Sequence, residues 1–281
     1  SLLEEKPQVA DRPEITEKYG DFFHPRKENW EPIKGDIEFQ DVSFRYPDGK
    51  EEVLSHFNLK IPAGTNVAIV GETGAGKSTI VNLISRFYNV NGGRVLIDGQ
   101  DISQVTIHSL REQMGIMMQD SFIFSGDIED NIRYGKLDAT LEEIVNASKT
   151  VCADEFISKM PDGYQTEVRE RGSMLSQGQK QLISFARTLL SDPAILILDE
   201  ATSSIDVQTE KALQTGLNAM LKGRTSFIIA HRLSTIRNCD KIMYIDNGGI
   251  MESGTHDELM AKKGYYYKLY TAQLDEVQKA G

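Results

Sequence analysis

The chain has 281 residues, of which 40% are hydrophobic and 26% charged, and its formal net charge is −11. This length allows one large domain or two small ones, and the composition is ordinary for a globular protein with a buried core. The negative charge argues against binding of nucleic acid through a broad basic surface. No apolar stretch approaches 18 residues and no signal peptide is visible, so neither a transmembrane helix nor a secretion signal is expected in this sequence.

The first 34 residues are rich in proline and charge and show little periodicity, which is typical of a linker. Because the chain begins with Ser1 rather than methionine, we expect it to be a piece of a longer protein. The two cysteines, Cys152 and Cys239, lie far apart and lack the spacing of metal ligands. We expect them to be packing residues in a reducing compartment, which indicates the cytosol.

From Gly35 onward, short apolar runs alternate with stretches of helical periodicity. The runs at 37–44 and 53–61 are separated by a Pro-Asp-Gly turn and predict an antiparallel pair of strands, the first with one irregularity. Helices are predicted over much of 127–160, with N-caps at Asp127 and Thr140, and after Ser176. Further strands are predicted at 66–70, 94–97, 114–118, 194–198, 226–230, 242–245 and 250–252. The alternation predicts an α/β fold with a parallel core.

A glycine-rich loop between a predicted strand and a predicted helix fits the pattern of a phosphate-binding P-loop. Its glycines allow several backbone N–H groups to point at one anion, and the helix N-terminus adds about half a positive charge. Lys77 supplies a full charge for the β- and γ-phosphates, and the Ser78 hydroxyl can bind Mg²⁺. The predicted ATP-binding loop consists of Gly71, Glu72, Thr73, Gly74, Ala75, Gly76, Lys77, Ser78 and Thr79.

Polar side chains follow three of the predicted core strands. Asp199 and Glu200 come directly after a continuous apolar run, and Gln119 and His231 follow two others. The carboxyl ends of parallel strands meet at one edge of a sheet, where ligands bind. Asp199 is therefore predicted to bind Mg²⁺ beside the P-loop, and Glu200 to polarise the water that attacks the γ-phosphate.

The motifs occur in an order that resembles the nucleotide-binding domain of an ATP-binding cassette (ABC) transporter, from about residue 35 to the end. The sequence Leu-Ser-Gln-Gly-Gln at 175–179 is similar to the family's signature Leu-Ser-Gly-Gly-Gln, with Gln177 in place of a glycine. Residues 203–206 resemble the D-loop, and Tyr46 stands where the family has an aromatic residue that stacks on adenine. The resemblance implies a RecA-like P-loop NTPase core with an antiparallel β subdomain and an inserted helical subdomain at about 120–192.

The resemblance also implies what each motif does. Lys77, Glu200 and His231 are expected to be catalytic, with ATP and Mg²⁺ as cofactors. Tyr46 and Gln119 join the P-loop in binding ATP, and Ser78, Gln119 and Asp199 hold the metal. A second ABC domain would complete the site head to tail, since the family's signature and D-loop face the partner's ATP. The residues implied for that contact are Ser176, Gln177, Gly178, Gln179, Ser204 and Asp206.

Two further segments resemble those of exporters. The first is residues 119–126. The second is Thr166–Gly172, which is similar to the exporter X-loop, with Arg169 in place of a glycine. The resemblance implies that a fused membrane domain precedes residue 35 and contacts the Gln119 and Thr166–Gly172 regions. The domain would then lie at the cytosolic face of the membrane and power export by hydrolysing ATP.

Two other classes of protein remain as alternatives. A regulatory module that binds ATP without turnover is disfavoured by the intact Lys77, Asp199 and Glu200. A DNA-repair ATPase of the SMC type shares the signature motif, but it needs a long coiled coil between the P-loop and the signature. The chain has no sustained heptads there, and its net charge also argues against DNA. No nucleic-acid partner is expected.

Overall fold

The computed structural model of the protein describes residues 9–118, 121–168, 172–200 and 205–280, with side chains up to Asp275. The predicted α/β class is confirmed, with strands and helices alternating along the chain. The strands are β1 (Ile37–Phe44), β2 (Leu54–Ile61), β3 (Asn66–Val70), β4 (Gly92–Ile97), β5 (Gln100–Asp101), β6 (Met114–Met117), β7 (Gly126–Asp127), β8 (Glu167–Val168), β9 (Ile195–Asp199), β10 (Thr225–Ile229), β11 (Lys241–Asp246) and β12 (Gly249–Gly254). The helices are α1 (Pro13–Tyr19), α2 (Lys77–Ile84), α3 (Ile107–Glu112), α4 (Ile128–Arg133), α5 (Leu141–Thr150), α6 (Asp154–Ile157), α7 (Gln177–Leu190), α8 (Val207–Leu221), α9 (Leu233–Asn238), α10 (His256–Lys262) and α11 (Tyr265–Ala280).

The larger sheet has the order β12-β11-β3-β10-β9-β6, and all its neighbours are parallel except the β11–β12 hairpin. Strand β3, which leads into the phosphate loop, therefore lies inside the sheet between β11 and β10. The smaller sheet has the order β2-β1-β4-β5 and is antiparallel, as predicted for its first two strands. The expected irregularity in β1 is a break in register between Phe39 and Val42, where Asp41 has a φ of 51°.

Each central strand of the larger sheet contributes to two cores, because successive side chains of a strand point to opposite faces. Val67 and Ile69 pack with the antiparallel sheet and α2, whereas Ala68 and Val70 pack with the helices on the other face. Strand β9 is divided in the same way. Burial on both faces explains why these strands are continuous apolar runs without alternation, as is usual for parallel sheets.

The segment between β6 and β9 contains α4 to α7, which pack against one another. Three side chains cap these helices as predicted: Asp127 accepts from the Asp130 N–H, and Thr140 and Ser176 form capping boxes with Glu143 and Gln179. The short strand β8 lies between α6 and α7 and pairs with β7. Two-residue strands are too short to give a periodic signal.

The segment before Gly35 is more ordered than its composition indicates. Helix α1 buries Ile15 and Tyr19 against the domain, and the Trp30 indole N–H donates to the Tyr19 carbonyl at 3.0 Å. Asp11 forms an ion pair with the buried guanidinium of Arg86 at 3.0 Å, and the same carboxylate accepts from the Ile107 N–H. Arg86 lies two residues beyond the end of α2, so the segment is attached near the phosphate-loop helix.

Replacing Asp11 by alanine is expected to destabilise the domain by about 3 kcal/mol, because it leaves the buried Arg86 charge without its partner. Within the part of the chain that the structure describes, the Arg86 side chain would keep only its hydrogen bond to the Val105 carbonyl. Chemical denaturation followed by circular dichroism would measure the loss. Glu14→Ala is the matched control, since Glu14 forms an exposed ion pair with Arg12 and should contribute less than about 1 kcal/mol. Equal midpoints for the two variants would contradict an anchored segment.

No helix among residues 9–118, 121–168, 172–200 and 205–280 is both long and apolar enough to cross a membrane.

Candidate ATP site

The phosphate loop runs from the end of β3 to the first residue of α2, as predicted. Gly71 has a φ of 144°, and a Cβ at this position would lie 2.1 Å from the Ile245 carbonyl oxygen. Gly76 precedes α2 in a left-handed conformation with a φ of 106°. Both positions therefore require glycine, for conformation and, at Gly71, also for space. The resulting turn presents the N-terminus of α2 to the edge of the sheet, where it favours an anion.

Lys77 lies at the start of α2 and turns back over the loop. Its Nζ donates to the carbonyl oxygens of Gly71 at 2.6 Å and Glu72 at 2.7 Å. Burial lowers the pKa of Lys77, and the charges of Glu72 and Asp199 oppose this effect. An ammonium held by two neutral carbonyls is well placed to bind a phosphate, because an anionic oxygen would satisfy it better.

A cavity of about 400 Å³ opens over the loop. Its walls are formed by the loop and the ends of β9 and β10, and it is lined by Tyr46, Val53, Thr73, Gly74, Gly76, Lys77, Ser78, Thr79, Asp199, Ile229 and His231. This volume suits a nucleotide-sized ligand. The cavity brings together Lys77, Ser78, Asp199 and His231, which are separated in sequence by up to 154 positions.

Tyr46 contacts both the core and the cavity. Its ring contacts Phe44 and Tyr88 edge to face, with centroids 4.8 and 5.0 Å away, so one side packs on the core. The residue also lines the cavity, and its hydroxyl lies 2.9 Å from the Thr79 hydroxyl. The aromatic ring is therefore held rigidly at the cavity wall, where it can stack on a base.

The carboxylate of Asp199 lies at the end of β9 beside two potential partners. His231 Nε2 is 3.9 Å from Asp199 Oδ1. Burial raises the pKa of Asp199, while the nearby His231 and Lys77 partly offset this effect. A cation bound here would relieve the cost of burying the carboxylate charge.

The oxygen donors present fit Mg²⁺ better than a softer metal. Ser78 and Asp199 offer a hydroxyl and a carboxylate, and among the described residues no group of three or more His, Cys, Asp or Glu side chains could hold a metal alone. Mg²⁺ typically binds in this manner, through one or two protein oxygens together with phosphates and water. The set is therefore suited to a metal that arrives with a nucleotide.

Glu200 follows Asp199, but its side chain points elsewhere. The residue is 1% exposed, and its carboxylate accepts from the backbone N–H groups of His231 and Arg232 and from the Thr235 hydroxyl. Sequence reasoning placed this carboxylate beside the γ-phosphate and missed Thr235. In the sequence, Thr235 is only a hydroxyl residue four positions after His231. Its contact with Glu200 can be inferred only when β9 and β10 are known to be neighbours.

The signature residues lie at the start of α7. Ser176 and Gln179 cap each other, with the Ser176 Oγ 3.2 Å from the Gln179 N–H and the Gln179 Oε1 3.0 Å from the Ser176 N–H. A Cβ on Gly178 would lie 2.1 Å from the Thr209 methyl group, so this glycine is needed for packing against α8. Gln177 has no positive φ, and its substitution for glycine therefore causes no backbone strain there.

Asp206 precedes α8 and caps it by accepting from the Thr209 N–H at 2.9 Å. Hydrogen bonds from Thr209 lower the pKa of Asp206. Among the described residues, neither Asp206 nor residues 176–179 line the cavity over the phosphate loop. Gln119, Ser203, Ser204 and residues 169–171 lie outside the described residues.

A strand–glycine loop–helix unit inside a parallel sheet, with a lysine, a hydroxyl and a carboxylate at its edge, defines a P-loop NTPase. The family model described as "ABC transporter" matches residues 54–203. The chain belongs to the ABC transporter family, and it contains that family's ATP-binding domain.

Several curated proteins are similar over most of this chain. The uncharacterized ABC transporter ATP-binding protein YknV of Bacillus subtilis (strain 168) is 52% identical over 97% of the chain and 43% of its own length. The putative multidrug export ATP-binding/permease protein YgaD of the same organism is 53% identical over 86% of the chain and 42% of its own length. The ATP-dependent lipid A-core flippase of Desulfotalea psychrophila (strain LSv54 / DSM 12343) is 46% identical over 97% of the chain and 45% of its own length.

A solved structure of a bacterial Atm1-family ABC exporter with ATP bound matches with a TM-score of 0.83 and 40% identity, over 97% of this chain and 45% of that one. The chain thus spans less than half the length of the relatives that it matches.

Proposed function

We propose that this chain is the Mg²⁺-dependent ATPase of an exporter, in which ATP binding and hydrolysis drive transport across a membrane. The observation that carries the proposal is the cavity of about 400 Å³ in which Lys77, Ser78 and Asp199 converge on the phosphate loop. The names of its relatives, a multidrug export protein and a lipid flippase among them, support the coupling to export.

Each residue at the cavity has a distinct part in the proposed reaction. Tyr46 stacks on adenine, the loop amides and Lys77 hold the phosphates, and Ser78 and Asp199 hold Mg²⁺, which supplies charge neutralisation at the γ-phosphate. Glu200 accepts the proton of the attacking water after its side chain has turned toward the cavity. His231 contacts the γ-phosphate and helps to orient that water.

A second ABC domain completes the site in this proposal. Two features of the described residues support it: neither the signature at the start of α7 nor Asp206 lines the cavity over the chain's own P-loop. Ser176 is exposed at the N-terminus of a helix of 14 residues, which suits contact with the phosphates of a nucleotide bound to the partner. Gln177, Gly178, Gln179 and Asp206 are proposed for the same contact, together with Ser204, which is assigned to it from the sequence motif alone.

A membrane domain joined upstream is the other proposed partner. Its proposed docking surface is an exposed aromatic group: Phe122 is 59% exposed, and Tyr134 is 50% exposed beside Phe124. The Arg187 guanidinium lies 5.2 Å from the Phe124 ring centroid and fixes it. Apolar patches of this kind mark protein interfaces. Phe122 lies three positions after Gln119 in the sequence, and β7, which follows Phe124, pairs with β8 at Glu167–Val168.

The domain organisation follows from this assembly. Residues 1–34 would connect to the membrane domain, and residues 35–281 would form the ATP-binding domain, with a helical subdomain at about 120–192. The whole domain would then lie at the cytosolic face of the membrane.

Removal of Mg²⁺ tests the proposed enzyme directly. Phosphate release from ATP by this chain is expected to require Mg²⁺ and to stop with excess EDTA. Asp199→Asn should lower the rate at saturating ATP by about 100-fold or more, because it removes a charged metal ligand. Asp162→Asn, at an exposed carboxylate outside the cavity, should leave the rate unchanged. ATP binding without any turnover would instead favour a regulatory binding module.

A further inference from the structure

The carboxylate of Glu200 is bound by three donors, all supplied by the segment that follows β10. Oε2 lies 2.8 Å from the backbone nitrogen of His231 and 2.8 Å from that of Arg232. Oε1 lies 2.6 Å from the Thr235 hydroxyl. This last distance is typical of a strong hydrogen bond from a hydroxyl to an ionised carboxylate. Both oxygens are thus occupied.

This position does not allow Glu200 to act as a base. A general base must lie within hydrogen-bond reach of the water whose proton it takes. The Glu200 side chain is 2% exposed and, among the described residues, is not one that lines the cavity, whereas its neighbours Asp199 and His231 line it. The side chain must therefore leave its three donors before it can contact a water at the γ-phosphate.

We infer that Thr235 is a positioning residue that holds Glu200 in a resting position, from which the carboxylate turns toward the cavity during turnover. The inference rests on the proposed role of Glu200 as the catalytic base. Among the described residues, Thr235 is the one side chain that donates a hydrogen bond to the carboxylate, while Arg232 Nε lies 3.9 Å from Oε1 as an ion pair. The Thr235 hydroxyl therefore contributes to how firmly the resting position is held, and it can be altered without changing the backbone.

The surroundings of Thr235 connect this resting position to α8. The Gln214 Oε1 accepts from the Ser234 hydroxyl at 2.9 Å and lies 3.4 Å from the Thr235 hydroxyl. Thr235 has a single hydroxyl proton, and the shorter distance assigns it to Glu200. Because α8 follows directly after Asp206, which is proposed to face the partner domain, a movement of α8 on assembly would reach Thr235 through Gln214.

Removal of the Thr235 hydroxyl should raise the rate of hydrolysis. The loss of one donor makes the resting position of the buried carboxylate less favourable but leaves the turned position unchanged, so less free energy is needed to turn. Hydrogen bonds to charged groups are strong enough for kcat to rise by about 3- to 10-fold. The KM for ATP should stay the same, because neither Thr235 nor Glu200 lines the cavity in this structure.

The test is steady-state hydrolysis of Mg²⁺-ATP by this chain and three variants. Thr235→Val keeps the volume and removes the hydroxyl, and kcat is expected to increase. Thr235→Ser restores the hydroxyl and should return kcat to the wild-type value. Ser234→Ala removes the neighbouring hydroxyl, which contacts Gln214 but not Glu200, and should have no effect. Thr235→Ala replaces the valine variant if that protein does not fold.

A kcat for Thr235→Val that is equal to or below the wild-type value would overturn the inference. The double variant Glu200→Gln/Thr235→Val separates this role from a merely structural one, since the increase must vanish when Glu200 is absent. The same series distinguishes the two proposals. If Glu200→Gln alone hydrolyses ATP at the wild-type rate, the catalytic role of Glu200 is wrong; if only the Thr235 effect is missing, the positioning role is wrong.

Discussion

Replacing Glu200 by glutamine is expected to lower the rate of ATP hydrolysis by about 10²- to 10⁴-fold, the usual contribution of a general base. The amide has the shape of the carboxylate but cannot take a proton from water. Because Glu200 does not line the cavity in this structure, ATP should still bind. If a second domain completes the site as proposed, a dimer should accumulate, because the nucleotide that holds the two domains together is not hydrolysed.

Three measurements examine this result together. Phosphate release gives the rate, calorimetry gives the affinity for ATP, and size-exclusion chromatography with Mg²⁺-ATP gives the oligomeric state. Glu155→Gln is a suitable control, because Glu155 is an exposed acid in the short helix α6, away from the cavity. A Glu200→Gln variant that hydrolyses ATP at the wild-type rate would rule out the catalytic assignment, and one that stays monomeric with ATP bound would argue against the sandwich.

Replacing Lys77 by alanine is expected to weaken ATP binding by about 10- to 100-fold, the effect of losing a hydrogen bond between two charged groups. The folded domain should lose little stability, because burial of the ammonium already lowers the pKa of Lys77 and, among the described residues, its hydrogen-bond acceptors are carbonyls of the loop. Affinity and stability should therefore respond differently to the same substitution.

Calorimetric titration with ATP and thermal unfolding without nucleotide would measure the two quantities. Lys60→Ala provides the control, since Lys60 is exposed on β2 outside the cavity. An unchanged affinity in the Lys77→Ala variant would show that phosphate is not bound at this loop. A large fall in unfolding temperature without nucleotide would instead indicate that the lysine is mainly structural.

Most of the fold could be predicted, because its signals are local. The strand of β-branched residues before Gly71, the helical spacing after Lys77 and the side-chain caps at Asp127, Thr140 and Ser176 each depend on neighbours within a few positions. The order of strands in the sheet did not follow from those signals. Parallel neighbours such as β3 and β10 are joined by more than 150 residues, and pairing over such distances depends on the whole core.

The orientation of Glu200 shows the limit of sequence reasoning at the site. The position after a buried strand correctly predicts that Asp199 reaches the cavity. The same argument applied to Glu200 fails to find its hydrogen bonds, since these depend on the pairing of Ile229 with Asp199 across two strands. That register brings the amides of His231 and Arg232 beside the carboxylate. Because successive side chains of a strand point to opposite sides, the side chain of Asp199 faces the cavity and that of Glu200 does not.

At Gly178, the sequence motif indicates the residue and the packing explains why it is needed. The sequence motif indicates that a glycine belongs there, and the structure gives a reason that lies in the contact between α7 and α8. A methyl group on that residue would meet Thr209, near the start of α8. The start of α7 is therefore packed against the start of α8 and against Ile205, which comes shortly before that helix.

The attachment of the N-terminal segment also limits how far a domain joined upstream could move. If residues 9–34 were a loose tether, their roughly 26 residues could reach about 85–95 Å. The Asp11–Arg86 ion pair and the buried Tyr19 prevent this extension, because they hold the segment against the antiparallel sheet and α3. Anything joined upstream of residue 9 is therefore connected to this domain near the phosphate-loop helix, and a pull on the chain there is transmitted to the end of that helix through the Asp11–Arg86 ion pair.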